Sequence, residues 1–263
     1  MKTVLVTGSS TGIGAACATR FAARGWRVLA GVRKAGDAPA DTEEVLLDVT
    51  DADAIASAAA RVERLDGLVD NAGIAVASPL EHLPLDVLRR QLEVNVVGQL
   101  AVTQAFLPAL RPARGRIVIV GSIAGKSALP FLGAYAMSKH ALEAMADSLR
   151  VELAPDGIHV SLVEPGTIAT PIWTKPQPVA DELSIDGTER YGARIDAFRA
   201  VAAKRSGKAA PPELVVRAIE HALTSDRPRT RYLVGRDAKI RATIERLPDR
   251  LRDRILTKAL LDS

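Results

Sequence analysis

The chain of 263 residues has little of three features on which particular functions depend: aromatic side chains, cysteine and long apolar runs. Aromatic residues make up 3% of the chain, which argues against a nucleic-acid surface built on base stacking. No apolar run approaches the length of about 20 residues that a transmembrane helix needs. Met1–Val6 lead straight into a predicted strand without a signal peptide, so we expect the protein in the cytoplasm.

The single cysteine, Cys17, cannot form an internal disulfide. It stands among alanines in a predicted helix, which favours a packing role, with a reactive thiol as the alternative. The four histidines, His82, His140, His159 and His221, show no paired metal-ligand spacing, so no metal site is predicted. They also lack a neighbouring nucleophile motif, which leaves packing or surface roles for them.

What the chain does have is the composition of a globular protein, 48% hydrophobic and 25% charged. The net charge of +4 is uneven, because residues 225–263 hold 11 lysines and arginines against 6 acidic residues. The basic character therefore belongs to the C-terminal part alone, and the rest of the chain is nearly neutral.

Short apolar segments alternate with helical periods along the chain. The predicted strands are Lys2–Thr7, Arg27–Gly31, Glu44–Leu47, Gly67–Val69, Arg116–Val120, Ile158–Val163 and Arg231–Val234. The predicted helices are Gly12–Arg24, Asp51–Arg64, Leu85–Leu107, Gly133–Leu153, Glu189–Ala203 and Pro212–Leu223. This alternation predicts an α/β fold, a Rossmann-type doubly wound parallel sheet of about seven strands with helices on both faces.

No linker divides the chain, so residues 1–235 are predicted to form a single domain. Within it, residues 166–190 are rich in proline and polar residues and are predicted to be a mobile loop. The substrate-binding region is expected at about 166–210. Residues 236–263 form a basic amphipathic helical tail, which Pro248 divides into two helices.

Three glycines, Gly8, Gly12 and Gly14, lie between the first predicted strand and the first helix. Glycines there permit a tight turn and close backbone approach to a pyrophosphate, while the helix N-terminus supplies N–H donors. The motif has the strand before it and the helix after it that a dinucleotide site requires. Its first two glycines are separated by three residues rather than by one.

A second group of residues can carry out chemistry on a carbonyl. Tyr135 and Lys139 are one helical turn apart, so both project from the same face of a predicted helix. Ser122 follows an apolar strand and lies thirteen residues before Tyr135. Strand end and helix can bring the two hydroxyls to one carbonyl oxygen. A lysine ammonium beside the phenol lowers its pKa from about 10 and suits it to proton transfer.

These motifs resemble the short-chain dehydrogenase/reductase family, in the family's order and spacing over about residues 1–170. The matching segments are Thr7-Gly8-x-x-x-Gly12-x-Gly14, Asp48-Val49, Asn71-Ala72-Gly73, Asn95, Ser122, Tyr135-x-x-x-Lys139 and Pro165-Gly166-x-Ile168-x-Thr170. The stretch Ser122–Leu153 looks most like the branch of 17-beta-hydroxysteroid and retinol dehydrogenases.

The resemblance implies roles for these positions. The glycine turn, with Ser10, Thr11 and Ile13, would bind the cofactor's pyrophosphate. Asp48 and Val49 would contact adenine, Asn71-Ala72-Gly73 would lie under the adenine-side ribose, and Pro165, Gly166, Ile168 and Thr170 would hold the nicotinamide end. Read without the family, Asn71-Ala72-Gly73 could equally be a turn after a strand.

For the chemistry, Tyr135 is expected to be the general acid in reduction and the general base in oxidation. Ser122 orients the substrate oxygen, and Lys139 also binds the nicotinamide ribose. Asn95 is expected to hold a water that passes protons towards Lys139.

Cofactor choice depends on the end of the second strand. Val32 stands where the family's NAD-preferring members carry aspartate, and Arg33 and Lys34 follow it. A guanidinium can pair with a 2′-phosphate and stack on adenine, so NADP(H) is preferred and NAD(H) remains possible. Thr11 replaces a basic residue found in some NADP enzymes, which predicts moderate selectivity. A solvated loop charge is the alternative for Arg33.

The substrate is predicted to be a lipophilic alcohol or carbonyl compound such as a steroid or retinoid. Apolar Leu129, Phe131 and Trp173 flank the catalytic residues, although ordinary loop packing would also explain them. The resemblance implies a homodimer or homotetramer through the helices near 85–107 and 133–153. The basic tail could contact a membrane, but covering the body of the protein or a partner subunit is favoured. A non-catalytic NADP(H)-binding regulator of the same fold is the rival function.

Overall fold

The structure, a computed structural model, describes the backbone of residues 1–173 and 185–260. The side chains of residues 173, 185–188 and 205 lie outside the described part, so the predicted contact through Trp173 does too. Part of the predicted loop at 166–190 and the last three residues of the tail also lie outside the described residues.

Seven parallel strands form one sheet in the order β3-β2-β1-β4-β5-β6-β7, which confirms the predicted fold class. The strands are β1 (Thr3–Thr7), β2 (Arg27–Val32), β3 (Glu43–Leu46), β4 (Gly67–Asp70), β5 (Arg116–Val120), β6 (His159–Pro165) and β7 (Arg231–Val234). The strand order reverses between β1 and β4, whose register aligns Val4 with Gly67 and Val6 with Val69. A crevice opens beyond the carboxyl ends of strands at such a switch point, and ligands bind there.

Helices cover both faces of the sheet. They are α1 (Gly12–Ala22), α2 (Ala52–Ala59), α3 (Leu85–Leu92), α4 (Gly98–Ala113), α5 (Gly133–Glu152), α6 (Ile185–Ser206), α7 (Glu213–Thr224), α8 (Arg236–Ile244) and α9 (Asp249–Leu260). One core packs α2, α4 and α5 on the sheet through residues such as Ile55, Phe106 and Leu142. The other packs α1 and α7 on the opposite face through Phe21 and Ile219. Burial on both faces explains why the central strands are almost wholly apolar.

The helix predicted over Leu85–Leu107 differs from the one observed. It is divided into α3 and α4 by a π-helical turn at Glu93–Val97, and it continues to Ala113. The helix accommodates Pro108 and Pro112 near its C-terminal end. The extra residue of the π turn changes which side chains face the sheet, an effect that a simple 3.6-residue period does not predict.

The two tail helices pack against the rest of the protein. Pro248 precedes α9, as the sequence indicated, and Ala238 and Leu260 are buried. The Asp237 carboxylate accepts a hydrogen bond from the Thr167 backbone N–H at 2.7 Å, which ties α8 to the loop after β6. Ile240, on the same helix, is exposed.

Within the described ranges, no helix combines the length and apolar character needed to cross a bilayer.

Candidate active site

The glycine turn joins β1 to α1 at the switch point of the sheet. Gly8 and Gly12 have φ of +66° and +60°, the left-handed region in which side chains other than glycine are strained. A Cβ on Gly14 would lie 2.2 Å from the Gly8 carbonyl oxygen, so only glycine fits there. The first turn of α1 carries no acidic residue that would repel an anion. Ser10 and Thr11 are exposed beside it, and Ile13 lines the main cavity.

A set of short hydrogen bonds between β1 and the loop after β4 fixes this turn. The Asn71 amide donates to the Thr7 carbonyl at 2.9 Å and to the Gly8 carbonyl at 3.2 Å. The Thr7 hydroxyl accepts from the backbone N–H groups of Asn71 and Ala72, both at 2.9 Å. Asn71 thus supports the glycine turn directly. The Thr7 hydroxyl positions the loop after β4, a role that the sequence motif did not indicate.

The residues predicted to distinguish the cofactors lie at the ends of β2 and β3. Val32 is buried, whereas Arg33 and Lys34 are exposed beyond it. Burial alone would raise the pKa of Asp48. The hydrogen bonds that its carboxylate accepts from Thr50, together with the positive charge of Arg33, outweigh burial and lower that pKa. Arg33 therefore lies within electrostatic reach of Asp48.

A cavity of about 590 Å³ begins at this crevice and extends over the carboxyl ends of β4, β5 and β6. It is lined by many of the predicted site residues: Ile13, Asn71, Gly73, Ser122, Leu129, Phe131, Tyr135, Lys139, Pro165, Gly166, Ile168 and Thr170. Residues predicted to contact the cofactor and residues predicted to contact the substrate thus line the same cavity, although they are far apart in the sequence.

The three predicted catalytic residues meet on the wall of this cavity. Ser122 follows β5, and its hydroxyl accepts the Ala124 backbone N–H at 3.1 Å and is hydrogen-bonded to the Tyr135 side chain. Lys139, one turn along α5, donates to the Val120 carbonyl at 2.9 Å, and its Nζ lies 5.6 Å from the centre of the Tyr135 ring. Less than a tenth of the surface of each of these residues is exposed.

Burial changes the proton affinities of this group. Burial raises the pKa of the Tyr135 phenol, and the hydrogen bond with Ser122 and the positive charge of Arg241 oppose that rise. Burial also lowers the pKa of Lys139 to about 8. The lowering of the Tyr135 pKa by Lys139 stays a prediction.

Asn95 lies in the π-helical turn with its side chain fully buried. Its amide donates to the Ile74 carbonyl at 2.9 Å and to the Ser138 hydroxyl at 3.0 Å, and its Oδ1 accepts the Ile74 N–H at 2.8 Å. Asn95 thus links the loop after β4 to the catalytic helix α5. Its expected role in holding a water stays a prediction.

Two further amides act in the same way and were missed in the sequence. Gln91 bonds Ile74 and Val76, and Gln99 bonds the Ala72 carbonyl at 2.9 Å. Gln91, Asn95 and Gln99 are four residues apart on one buried helix face. Because buried polar side chains need hydrogen-bond partners, this spacing could have indicated that they bind a neighbouring loop. Together they hold the loop that forms one wall of the cavity.

Helix α6 forms the opposite wall. The Phe131 ring lies 5.5 Å from that of Phe198 and 6.2 Å from that of Tyr191, both edge to face. Leu129 and Phe131 line the cavity, and their contact with substrate stays a prediction. Phe198 was missed because nothing in its local sequence indicates a contact some 70 residues away.

Comparison with known proteins agrees with this geometry. Residues 2–179 match the model of the short chain dehydrogenase family. An NADPH-dependent 3-dehydrocapnine reductase from Ornithobacterium rhinotracheale is 34% identical, covering 99% of this chain and 98% of that protein. Human retinol dehydrogenase 16 is 37% identical, covering 91% of this chain and 82% of that protein.

A solved structure, a short chain dehydrogenase from Burkholderia cenocepacia J2315 in complex with NADP, superposes with a TM-score of 0.77. It is 28% identical, and the match covers 99% of both chains. With the family model and the relatives, this places the chain among the short-chain dehydrogenases and reductases, where its retinol dehydrogenase relatives also belong. The protein is therefore a short-chain dehydrogenase/reductase, an oxidoreductase.

Proposed function

We propose that the protein interconverts an alcohol and a carbonyl compound with NADP(H) as the hydride carrier. The substrate is a secondary alcohol and its ketone, or a primary alcohol and its aldehyde, in a lipophilic molecule. The observation that carries the proposal is the hydrogen-bonded pair of Ser122 and Tyr135 hydroxyls on the wall of a mostly apolar cavity. Lys139 lies beside that pair.

The cofactor site fits a dinucleotide. The absence of a side chain at Gly14 lets the start of α1 pack closely against the Gly8 carbonyl. The backbone N–H groups at that N-terminus would then bind the pyrophosphate. Asp48 and Val49 would hold the adenine, and Ile168 and Thr170 the nicotinamide end. NADP(H) bound there supplies or accepts the hydride.

The proton is handled by this chain's own residues. In reduction, the Tyr135 hydroxyl donates its proton to the substrate oxygen, and in oxidation the phenolate takes it back. The Ser122 hydroxyl donates a hydrogen bond to the same oxygen and orients it. The Lys139 ammonium, held by the Val120 carbonyl, stabilises the phenolate, and a water held at Asn95 passes protons towards it.

Preference for NADP(H) over NAD(H) rests on the charge at the end of β2. Val32 cannot bind a ribose hydroxyl, and the exposed Arg33 and Lys34 can pair with a 2′-phosphate. A relative named for NADPH dependence and a neighbour in complex with NADP support this choice. The ratio of kcat/KM for NADPH and NADH tests it: we expect a ratio of at least about tenfold that falls in Arg33→Met. Equal values in the wild type would contradict it.

The experiment that tests the reaction is NADPH oxidation over a panel of steroids, retinoids, quinones and short ketones. Tyr135→Phe should lower turnover by about a hundredfold or more, because it removes the proton donor. The variant should still bind NADPH, measured by NADPH fluorescence, because the Tyr135 phenol takes no part in the glycine turn that would bind the pyrophosphate. Turnover retained by the variant would refute the role of Tyr135. A wild type that binds NADPH and turns over nothing in the panel would favour the non-catalytic regulator.

Assembly into a homodimer or homotetramer belongs to the same proposal. Large apolar side chains are exposed on the helices expected to form the contacts: Leu85 and Val97 near α3 and α4, and Met137 and Val151 on α5. We expect association of two chains to cover these side chains. Light scattering should give a mass of two or four chains, and Val151→Glu should shift it towards one. A wild-type mass of one chain would contradict the proposal.

A further inference from the structure

A carboxylate from the C-terminal tail lies against the backbone of the loop after β6. Asp237, near the start of α8, is half-buried, and its Oδ2 accepts the Thr167 backbone N–H at 2.7 Å. This hydrogen bond joins residues that are 70 positions apart in the sequence. Asp237 lies outside residues 1–170, over which the family motifs were recognised, so the motifs gave no role to it.

Two glycines make room for this carboxyl group. A Cβ on Gly166 would lie 2.2 Å from Oδ1 of Asp237 and 2.5 Å from its Oδ2, closer than side chains approach in folded proteins. A Cβ on Gly235, whose φ is +104°, would lie 2.7 Å from the same Oδ1. The φ of Gly166 is not positive, so its backbone conformation is one that other residues adopt. The close approach of Asp237 is therefore what requires glycine at position 166.

The backbone that Asp237 contacts is part of the cavity wall, since Gly166 and Thr167 both line the cavity. Three neighbouring backbone groups there have partners from three parts of the chain. The Gly166 N–H donates to the Val234 carbonyl at 2.8 Å, and the Thr167 carbonyl accepts the Ala210 N–H at 3.0 Å. The Asp237 carboxylate supplies the partner of the Thr167 N–H between them.

The hydrogen bond to Asp237 fixes the orientation of a whole peptide unit. Hydrogen bonds to a carboxylate are stronger than those between neutral groups. Because the peptide is planar and trans, an N–H of Thr167 directed at α8 makes the Gly166 carbonyl point the opposite way. In the proposed function this segment holds the nicotinamide end of the cofactor. Hydride transfer depends steeply on how the reacting groups are placed, so the orientation of this peptide affects the reaction.

We propose that Asp237 is a positioning residue that sets the Gly166–Thr167 peptide for the nicotinamide end of NADP(H), and that position 166 is glycine in order to admit the Asp237 carboxyl group. The inference deepens the proposed function and rests on it, since it concerns the same cofactor site. Asp237 is not among the described residues that line the cavity, so it acts through the loop.

The binding of two ligands to the full-length protein tests this role without turnover. NADPH carries the nicotinamide end, whereas adenosine 2′,5′-bisphosphate keeps the adenine end and its 2′-phosphate alone. In Asp237→Ala we expect the Kd of NADPH to rise about tenfold and that of the bisphosphate to stay within about twofold of the wild type. Unchanged binding of NADPH would overturn the proposal. An equal loss for both ligands would overturn it too, because that result indicates general damage to the fold.

Two further variants make the comparison specific. Asp237→Asn keeps an oxygen that can accept the Thr167 N–H, so it should keep most of the affinity for NADPH. A loss as large as in Asp237→Ala would contradict the role of that hydrogen bond. Asp253→Ala removes a carboxylate that is 63% exposed on α9 and should leave both affinities unaltered. If it weakened NADPH binding as much as Asp237→Ala, the effect would belong to the charge of the tail and the proposal would fail.

A double substitution tests the reason for glycine at position 166. In the wild-type background Gly166→Ala should raise the Kd of NADPH about tenfold, because the new Cβ and the Asp237 carboxyl group need the same space. In the Asp237→Ala background that group is absent, so the same change should cost less than about twofold. An equal cost in both backgrounds would overturn the proposal. If Asp237→Ala fails to fold, Gly166→Ala alone decides, since it should weaken NADPH and leave the bisphosphate unaffected, and unchanged NADPH binding would refute the inference.

A kinetic measurement separates this inference from the proposed reaction. With saturating NADPH and a ketone that the wild type reduces, kcat of Asp237→Ala should fall about tenfold or more, because a misplaced nicotinamide slows hydride transfer. A wild-type kcat in this variant would overturn the positioning role and leave the reductase intact. If the binding results are as expected and the wild type reduces no carbonyl compound, the proposed reaction fails and the role of Asp237 in cofactor binding stands.

Discussion

Replacing Asp70 by asparagine should remove a pH dependence of folding that arises from one buried carboxyl group. Asp70 ends β4 and is fully buried. Its Oδ2 accepts the Thr103 hydroxyl at 2.7 Å, and its Oδ1 has no hydrogen-bond partner among the described residues. Burial raises the pKa of Asp70 from 3.8 to about 7, against the smaller opposing effect of the Thr103 hydrogen bond.

The sign of the effect follows from the protons bound in each state. Below about pH 4 the group is protonated in both states and costs nothing. Between about pH 4 and 7 the unfolded chain releases the proton and the folded protein keeps it, so stability falls as pH rises. Between pH 5 and the folded-state pKa of about 7, stability falls by about 1.36 kcal/mol per pH unit, and above about pH 7 it levels off. The total loss from about pH 5 to 8 is therefore roughly 2–3 kcal/mol.

Urea unfolding at about pH 5, 6, 7 and 8 measures this directly. The free energy of unfolding of Asp70→Asn should gain roughly 2–3 kcal/mol on the wild type between about pH 5 and 8, because the asparagine cannot ionise. Asp226→Asn, at an exposed position, should follow the wild type throughout. Parallel curves for Asp70→Asn and the wild type would refute the reasoning.

Three other substitutions test separate parts of the site. Gly14→Ala places a Cβ 2.2 Å from the Gly8 carbonyl oxygen and should weaken NADPH binding by about tenfold or more, measured by fluorescence; unaltered binding would contradict the close packing of this turn. Lys126→Met removes the ammonium that contacts the buried Glu164 carboxylate and the partly buried Glu143 carboxylate. Glu143 keeps its pair with Arg231, so the loss should be that of about one charged hydrogen bond, about 2 kcal/mol in urea unfolding. Burial raises the pKa of Glu164 to about 7, so this loss should be smaller near pH 5, and a loss independent of pH would count against it. Phe198→Ala removes one wall of the cavity and should raise the KM for a lipophilic ketone several-fold with little change in kcat, since one aromatic contact contributes about 0.5–1.5 kcal/mol; an unchanged KM would contradict its place in the cavity.

The central fold could be predicted because its signals are local. Each apolar strand is followed by turn residues and a helical period, which predicts parallel strands joined by right-handed crossovers. The helix at Leu85–Leu107 was the exception. Its π-helical turn depends on Asn95 finding Ile74 and Ser138 as partners, and these contacts span 21 and 43 residues. The helix also continues through Pro108, which a rule against proline in helices does not expect.

The candidate site divides in the same way. Ser122, Tyr135 and Lys139 were found from spacing because one strand and one helix carry them. Phe198 and Arg241 were not, because α6 and α8 reach the cavity only through tertiary packing. Arg241 was visible in the sequence as one of several basic residues in the tail, and only its contact with Ser127 distinguishes it from the others.

The position of Leu260 and Arg241 in the cavity wall has a consequence for how the protein is made. The residues proposed to cradle the dinucleotide end at Thr170, whereas the cavity is also lined by side chains from the last two helices. During synthesis the residues proposed to bind the dinucleotide therefore emerge first, and the part of the cavity wall from α8 and α9 emerges last. A chain interrupted before α8 would lack the Asp237 carboxylate that holds the Thr167 N–H as well as the guanidinium of Arg241. The wall that Arg241 and Leu260 complete is thus the last part of the cavity to form.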